Sequence, residues 1–209
     1  MHLLIRRKFN IEKLACTELF RNTLQSMIIT TGLLLQSIPY LGQQKILKVF
    51  TKKEGLLSFF TKKTALTPFC LAEWSYRDTE KELLSLQEAH LLDPLLELKE
   101  DYATLRAAGS IANNLLVTQM PNKNSEALFE LAYLYLKKLT KSPDVLPASF
   151  TLKLLVHEGH FPHERPPQFT TEEWSVVEIL ALSRSLKQIQ ETQFLPIEKI
   201  KRLLEDCVR

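Results

Sequence analysis

Residues 46–51 and 56–61 are two apolar-rich runs that each carry aromatic side chains or their immediate neighbours at one end, and only Lys52-Lys53-Glu54-Gly55 separates them. A short glycine-containing connection between two such runs is a hairpin signal. Gly55 supplies the positive φ that tight turns of this kind need. Upstream, an apolar strand-like stretch opens at Met27 and is broken at Pro39-Tyr40-Leu41-Gly42. Proline has no N–H for a strand ladder, and it holds the preceding residue, Ile38, in extended geometry. Residues 69–77 and 82–92 give two further mixed runs, so residues 27–92 predict a small five-stranded Greek-key barrel with basic connections.

From Pro94 the pattern changes to that of a helix. Asp93 ahead of Pro94 predicts an N-cap followed by proline at the first helical position, and Leu95, Leu98, Tyr102, Leu105, Ala108 and Ala112 recur at helical spacing to about residue 119. Residues 120–124 break the pattern, a second helix is expected over 125–140, and residues 143–147 break it again. A third helix over 148–158 ends at Gly159 and Pro162. Thr170 and Glu173 form a capping-box pattern that predicts a long helix to about residue 191. Pro196 opens a last helix with Ile197, Ile200, Leu203 and Leu204 on one face. Without sustained heptads these helices predict a packed bundle. The fold class is therefore α+β: an N-terminal OB-fold β-barrel over 27–92, then an α-helical domain over 93–209.

Charge divides along the same boundary. Residues 27–77 carry seven basic side chains against two acidic, and residues 78–209 fifteen against twenty. A basic module joined to an acidic helical half is the asymmetry of a chain whose first part meets a polyanion. The candidate nucleic-acid-binding set is Lys45, Lys48, Lys52, Lys53, Lys62, Lys63 and Arg77, with Tyr40, Phe59 or Trp74 as candidates to stack bases. The competing reading of the same lysines is a charged hairpin edge that blocks pairing with another chain, and most of the aromatics are expected in the core. Residues 1–26, with five basic side chains against two acidic, read as a basic extension, disordered or arising from a mis-assigned start.

Several classes of chemistry find no residues to carry them. The three cysteines, Cys16, Cys70 and Cys207, are far apart and form no Cys-x-x-Cys pair, which points to a reducing cytoplasm rather than a disulfide framework. No stretch approaches the ~20 uninterrupted apolar residues of a membrane span. Phosphate-loop, nucleophile-elbow and zincin motifs are absent, so the chain reads as non-enzymatic and without a cofactor. His157, His160 and His163 recur every three residues, but Gly159 and Pro162 interrupt the helix that would align them on a metal. His90, in an apolar run, is expected as a partly buried strand residue.

The barrel segment resembles the start of the bacterial recombination mediator RecO, on Ser37, Pro39, Tyr40 and Gly42, then Ile46 and Leu47, then Phe50, Thr51 and Gly55. The likeness continues to about residue 162, where Phe150, Leu154, Leu155, Gly159, His160 and Pro162 match a family helix ending in Gly-aromatic-x-Pro, with His160 in the aromatic place. The resemblance implies binding of single- and double-stranded DNA, strand annealing, contacts to RecR and to the single-stranded-DNA-binding protein, and help in loading RecA on gaps. No membrane partner is expected, on the apolar run lengths above. Two departures stand out: this chain lacks the four-cysteine zinc module that many of the family insert after the Gly and Pro, and residues 64–67 are all that remains of a usually longer basic loop. Those departures favour the alternative of a degenerate RecO-like protein-interaction scaffold with weak or no DNA binding.

Overall fold

A computed structural model describes residues 27–62, 64–77, 81–192 and 195–208. The expectations for residues 1–26 and for Lys63 lie outside the described residues. Five strands, β1 (Met27–Tyr40), β2 (Gln44–Thr51), β3 (Gly55–Thr61), β4 (Cys70–Arg77) and β5 (Leu83–Asp93), close into a barrel in the order β1-β2-β3-β5-β4. All pairings are antiparallel except β3 with β5, which run parallel from Ser58 opposite Leu83 to Phe60 opposite Ser85. This is the five-stranded OB arrangement. β1 serves two neighbours: residues 27–34 pair with β4 and residues 32–40 with β2, and an irregularity between Leu34 and Gln36 lets the strand turn from one to the other. Pro39 ends the run less sharply than its chemistry suggests, since β1 stays paired through Tyr40 and the chain reverses at Leu41 and Gly42.

Side chains that alternate inward fill the barrel, among them Leu34, Leu47, Val49, Leu57, Phe59, Ala72, Trp74 and Tyr76. The Phe59 ring stacks on Trp74 at 5.8 Å with 7° between planes, and Trp74 Nε1 donates to the Gly32 carbonyl at 3.0 Å. Gly32 is required there, because a Cβ would overlap Val49 Cγ1. Outward-facing Leu33, Leu35, Phe50 and Leu56 leave the barrel to join the helical core, where Phe50 meets Phe129 at 6.0 Å.

The helices are α1 (Tyr102–Thr118), α2 (Glu126–Lys138), α3 (Leu146–Glu158), α4 (Thr171–Leu182), α5 (Leu186–Gln190) and α6 (Ile197–Val208), with single 3-10 turns at Leu96–Lys99 and Leu139–Lys141. Helix α3 is central: Phe150, Leu152, Leu154 and Leu155 are fully buried, and its Ser149 hydroxyl donates to the Leu180 carbonyl at 2.7 Å while it lies 2.9 Å from Tyr135 Oη. Burial pushes the Tyr135 phenol up to about 12, so it stays a donor to Ser149. Asn114 Nδ2 meets Thr151 Oγ1 at 2.7 Å, which satisfies a second buried polar pair.

Three expectations are corrected. Asp93 does not cap a helix at Pro94; it ends β5, where its carboxylate accepts from the Leu95 N–H at 3.0 Å and from Tyr133 Oη–H at 2.7 Å. Leu95 is left-handed, with φ 45°, so the helix is delayed until Asp101, whose carboxylate caps the Thr104 N–H at 2.9 Å. The delay moves the buried face of α1 to Thr104, Ala107, Ala108, Ile111, Ala112 and Leu115, leaving Tyr102 78% exposed. The Thr170–Glu173 capping box forms as expected, but the helix it starts stops at Leu182. Lys153 Nζ donates to the Ala181 and Ser183 carbonyls at 3.1 and 2.7 Å, closing that helix end, and Ser185 caps a separate α5. His90 is exposed on β5, with Nε2 3.4 Å from Glu88 Oε2, because its strand position faces solvent rather than the barrel.

Candidate nucleic-acid interface

The outer face of the barrel follows from strand parity. With Leu47 and Val49 of β2 and Leu57 and Phe59 of β3 inside, Ile46, Lys48, Ser58 and Phe60 face out. Lys48 Nζ donates to Ser58 Oγ, its direct cross-strand partner, at 2.8 Å. Ile46 lies between Ile38 and Phe60 in register, and Tyr40 stands opposite Gln44 at the strand ends. The Tyr40 and Phe60 rings meet edge to face, 6.3 Å between centroids and 86° between planes, with Tyr40 43% exposed.

Beyond these rings, Gln43, Lys45, Lys62, Thr64 and Ala65 line a shallow cleft of about 370 Å³. The cleft has no carboxylate in its lining. From Met27 to Leu71 the sequence holds a single acid, Glu54, and it sits at the other end of the hairpin, accepting from Thr30 Oγ1 at 2.5 Å. Lys45 and Lys62 therefore meet no carboxylate within the lining of the cleft itself.

The hairpin turn behaves differently. Lys52 Nζ lies 2.7 Å from Glu130 Oε1 and 3.1 Å from Glu126 Oε1, both on α2. Hydrogen bonds to Glu130 and Glu126 raise the Lys52 ammonium above the ordinary lysine range. The backbone docks too: the Leu56 N–H donates to the Met120 carbonyl at 3.1 Å, and the Asn122 N–H to the Glu54 carbonyl at 2.8 Å. Gly55 adopts φ 72° as its turn requires, packed so closely against the 120–123 segment that a Cβ would overlap the Met120 carbonyl oxygen.

The seven basic candidates thus separate. Lys45 and Lys62 share the cleft, Lys48 lies between the ends on the outer face, Lys53 is exposed on the turn, and Lys52 is paired with carboxylates. Arg77 is exposed at the end of β4, opposite Met27. Of the aromatic candidates, Phe59 and Trp74 are fully buried in the barrel and only Tyr40 is open. Phe60 is the residue that sequence reasoning missed; with Phe59 beside it in one strand, parity required that one of the two face outward.

Among the described residues no group of histidine, cysteine and carboxylate side chains is placed to hold a metal ion, and no helix is long and apolar enough to cross a membrane.

Residues 26–95 match the family model described as Recombination protein O N terminal. The chain is similar to DNA repair protein RecO of Chlamydia pneumoniae, 32% identical over 143 residues, covering 63% of this chain and 56% of that protein. The DNA repair protein RecO of Chlamydia trachomatis serovar L2 is 30% identical over 143 residues, with 63% and 58% covered. That of Caldicellulosiruptor bescii is 26% identical over 147 residues, with 65% and 59% covered. The chain spans less than two thirds of the length of these relatives.

Proposed function

We propose that this chain, which is similar to the RecO family and matches its amino-terminal model over residues 26–95, is a non-enzymatic DNA-binding mediator of recombinational repair. It binds single- and double-stranded DNA, anneals complementary strands, and helps RecA load on gaps covered by the single-stranded-DNA-binding protein, with RecR as a further partner. The observation that carries the reading is an OB barrel whose β1–β2 end gathers Lys45 and Lys62 without a carboxylate. Such a surface attracts the phosphate backbone by releasing condensed counterions, and no bond need be made or broken. Annealing follows when screening lets two strands approach on one basic surface. Action in the cytoplasm agrees with the free thiols of Cys70 and Cys207.

The test is fluorescence anisotropy of a labelled single-stranded oligonucleotide titrated at low and at physiological salt. A DNA binder loses affinity with a log–log slope of about −0.7 per phosphate neutralised on a single strand. Commitment of Lys52 to Glu126 and Glu130 favours a second reading, the protein-interaction scaffold, since it withdraws one cation from the candidate set. On that reading no DNA complex forms at either salt.

A further inference from the structure

Helix α6 lies in a trough that it does not fill. One wall is a face of α1, carrying Ala103, Ala107 and Ser110 and then Val117 and Thr118; the other is a face of α3, carrying Ala148, Thr151 and Leu155. Steps of three, four and seven keep each set on one helical stripe. At its first turn α6 leaves a cleft of about 720 Å³, bordered by Pro196, Ile197, Ile200 and Lys201. At its last turn Leu204 and Cys207 border a second cleft of about 230 Å³. Ile200, Leu203 and Leu204 are buried between the two, and α3 is the helix on which α6 chiefly packs. Lys199 Nζ lies 2.7 and 2.6 Å from the two carboxylate oxygens of Glu173, at the start of α4, and 5.7 Å from the centre of the Phe169 ring. We infer that α6 is a latch that leaves α3 as a unit while the rest of the bundle stays folded, with the Glu173–Lys199 pair as its catch.

A segment opens locally when few buried contacts and few bonds tie it to its surroundings. Among the described residues no backbone hydrogen bond joins α6 to another helix, and its second ion pair, Lys201 with Glu198 at 3.0 Å, lies within α6 itself. Release therefore costs a short row of apolar contacts and one ion pair, and leaves no backbone group of the bundle without its partner. The two clefts lower that cost, since side chains beside open space have fewer neighbours to leave. Helix α3 is held quite differently, with Phe150, Leu152, Leu154 and Leu155 fully buried and Ser149 bonded to the Leu180 carbonyl. Opening uncovers the trough between α1 and α3 along its length. Met120 lines its second cleft, and the Met120 carbonyl accepts the Leu56 N–H of the β2–β3 hairpin at 3.1 Å, so the latch reaches the joint between bundle and barrel. The device works whether or not the barrel binds DNA.

The experiment is amide hydrogen exchange, read residue by residue by NMR on the full chain and its variants. Off its support a helix of 12 residues is marginal in water, so its amides exchange in the open state. The amides of residues 201–207 share one rate, at least about tenfold faster than those of residues 150–155 in α3. K199M removes the ammonium and keeps the stem against Phe169; it speeds exchange in α6 about two- to fivefold and leaves α3 unchanged. E173Q does the same, because an amide still serves the capping box with Thr170 but lacks the charge. The double variant adds nothing to either single change, as expected of two groups acting through one pair. Unchanged protection of α3 in each variant shows that the bundle is folded. Three results overturn the latch: α6 and α3 exchanging at one rate, protection that falls gradually from residue 201 to 207 as in simple fraying, or no effect of K199M on α6.

Discussion

Lys52 reaches from the β2–β3 turn to Glu130 on α2, with Nζ 2.7 Å from Oε1, so one of the two lysines at the tip of the most basic hairpin is held by the acidic half of the same chain. Glu126 adds a second carboxylate at 3.1 Å. The pair is part of a larger joint, since the hairpin backbone exchanges hydrogen bonds with Met120 and Asn122 of the segment leading into that helix. The barrel and helical bundle are therefore locked together at the hairpin end, while the β1–β2 end is open to solvent at Tyr40 and Lys62.

Neutralising the two carboxylates as E126Q/E130Q frees the Lys52 charge and removes two acids from the neighbourhood of the hairpin. Affinity for a DNA oligonucleotide rises a few-fold at low salt, and the gain fades as ionic strength shortens the screening length. Lys52→Ala lowers affinity less than Lys45→Ala, and because the pair is solvent-exposed it barely moves the unfolding midpoint. Anisotropy titrations of the four proteins at two salts decide it. Weaker binding by E126Q/E130Q contradicts the account.

Gly55 carries two constraints at once, a left-handed backbone and contact with the Met120 carbonyl. Gly55→Ala meets both, so it destabilises the chain by more than ~1 kcal/mol, beyond what positive φ alone costs. Gly42 also has positive φ, at 69°, but a Cβ there meets open space. Gly42→Ala therefore costs less than Gly55→Ala, and urea midpoints of the two variants rank them.

The barrel was legible in the sequence because its signals are local. The apolar-rich runs 46–51 and 56–61, with a short connection ending in Gly55 between them, mark the hairpin without reference to the rest of the chain. What closes the barrel is not local: the parallel pairing of Ser58–Phe60 with Leu83–Ser85 joins strands that are not neighbours in sequence. The start of α1 was misplaced for a related reason. Asp93 has the chemistry of a cap, but Tyr133, forty residues away, competes for its carboxylate, together with Lys137 at 3.3 Å. Burial opposes ionisation of Asp93, and the hydrogen bonds from Tyr133, Leu95 and Lys137 outweigh it and hold the carboxyl below its ordinary value. At the candidate site, the basic residues were readable as a set, whereas the pairing of Lys52 with α2 depends on a domain contact that no sequence period encodes.

Ser149 links Tyr135 to the Leu180 carbonyl through one hydroxyl in a fully buried position. Ser149→Ala leaves a phenol and a carbonyl without their partner in the middle of the bundle. The expected cost is about 1–3 kcal/mol, read from the thermal or urea midpoint, and it is larger than that of an exposed alanine substitution such as Ser175→Ala. DNA affinity is unchanged, since the trio lies in the helical core and not on the barrel surface.

Glu158, at the end of α3, joins the central helix to the segment that holds the hairpin. Its carboxylate accepts from Lys123 Nζ in a close ion pair and from Gln119 Nε2 at 2.9 Å, with His157 Nδ1 at 3.3 Å. Burial raises the carboxyl, but the bonds from Lys123 and Gln119 prevail, so it titrates below its ordinary value of 4.5. A depressed carboxylate stabilises the fold above its unfolded-state value, and that contribution is lost as pH falls through the lower, folded value. Unfolding midpoints measured downward from pH 6 therefore show an acid-side decline that begins near pH 4.5 and is shallower in Glu158→Gln. At pH 7 the same variant is less stable by about 1 kcal/mol, because the amide keeps one acceptor but loses the charge that Lys123 faces. An acid limb identical in the two proteins would show that Glu158 contributes nothing to it.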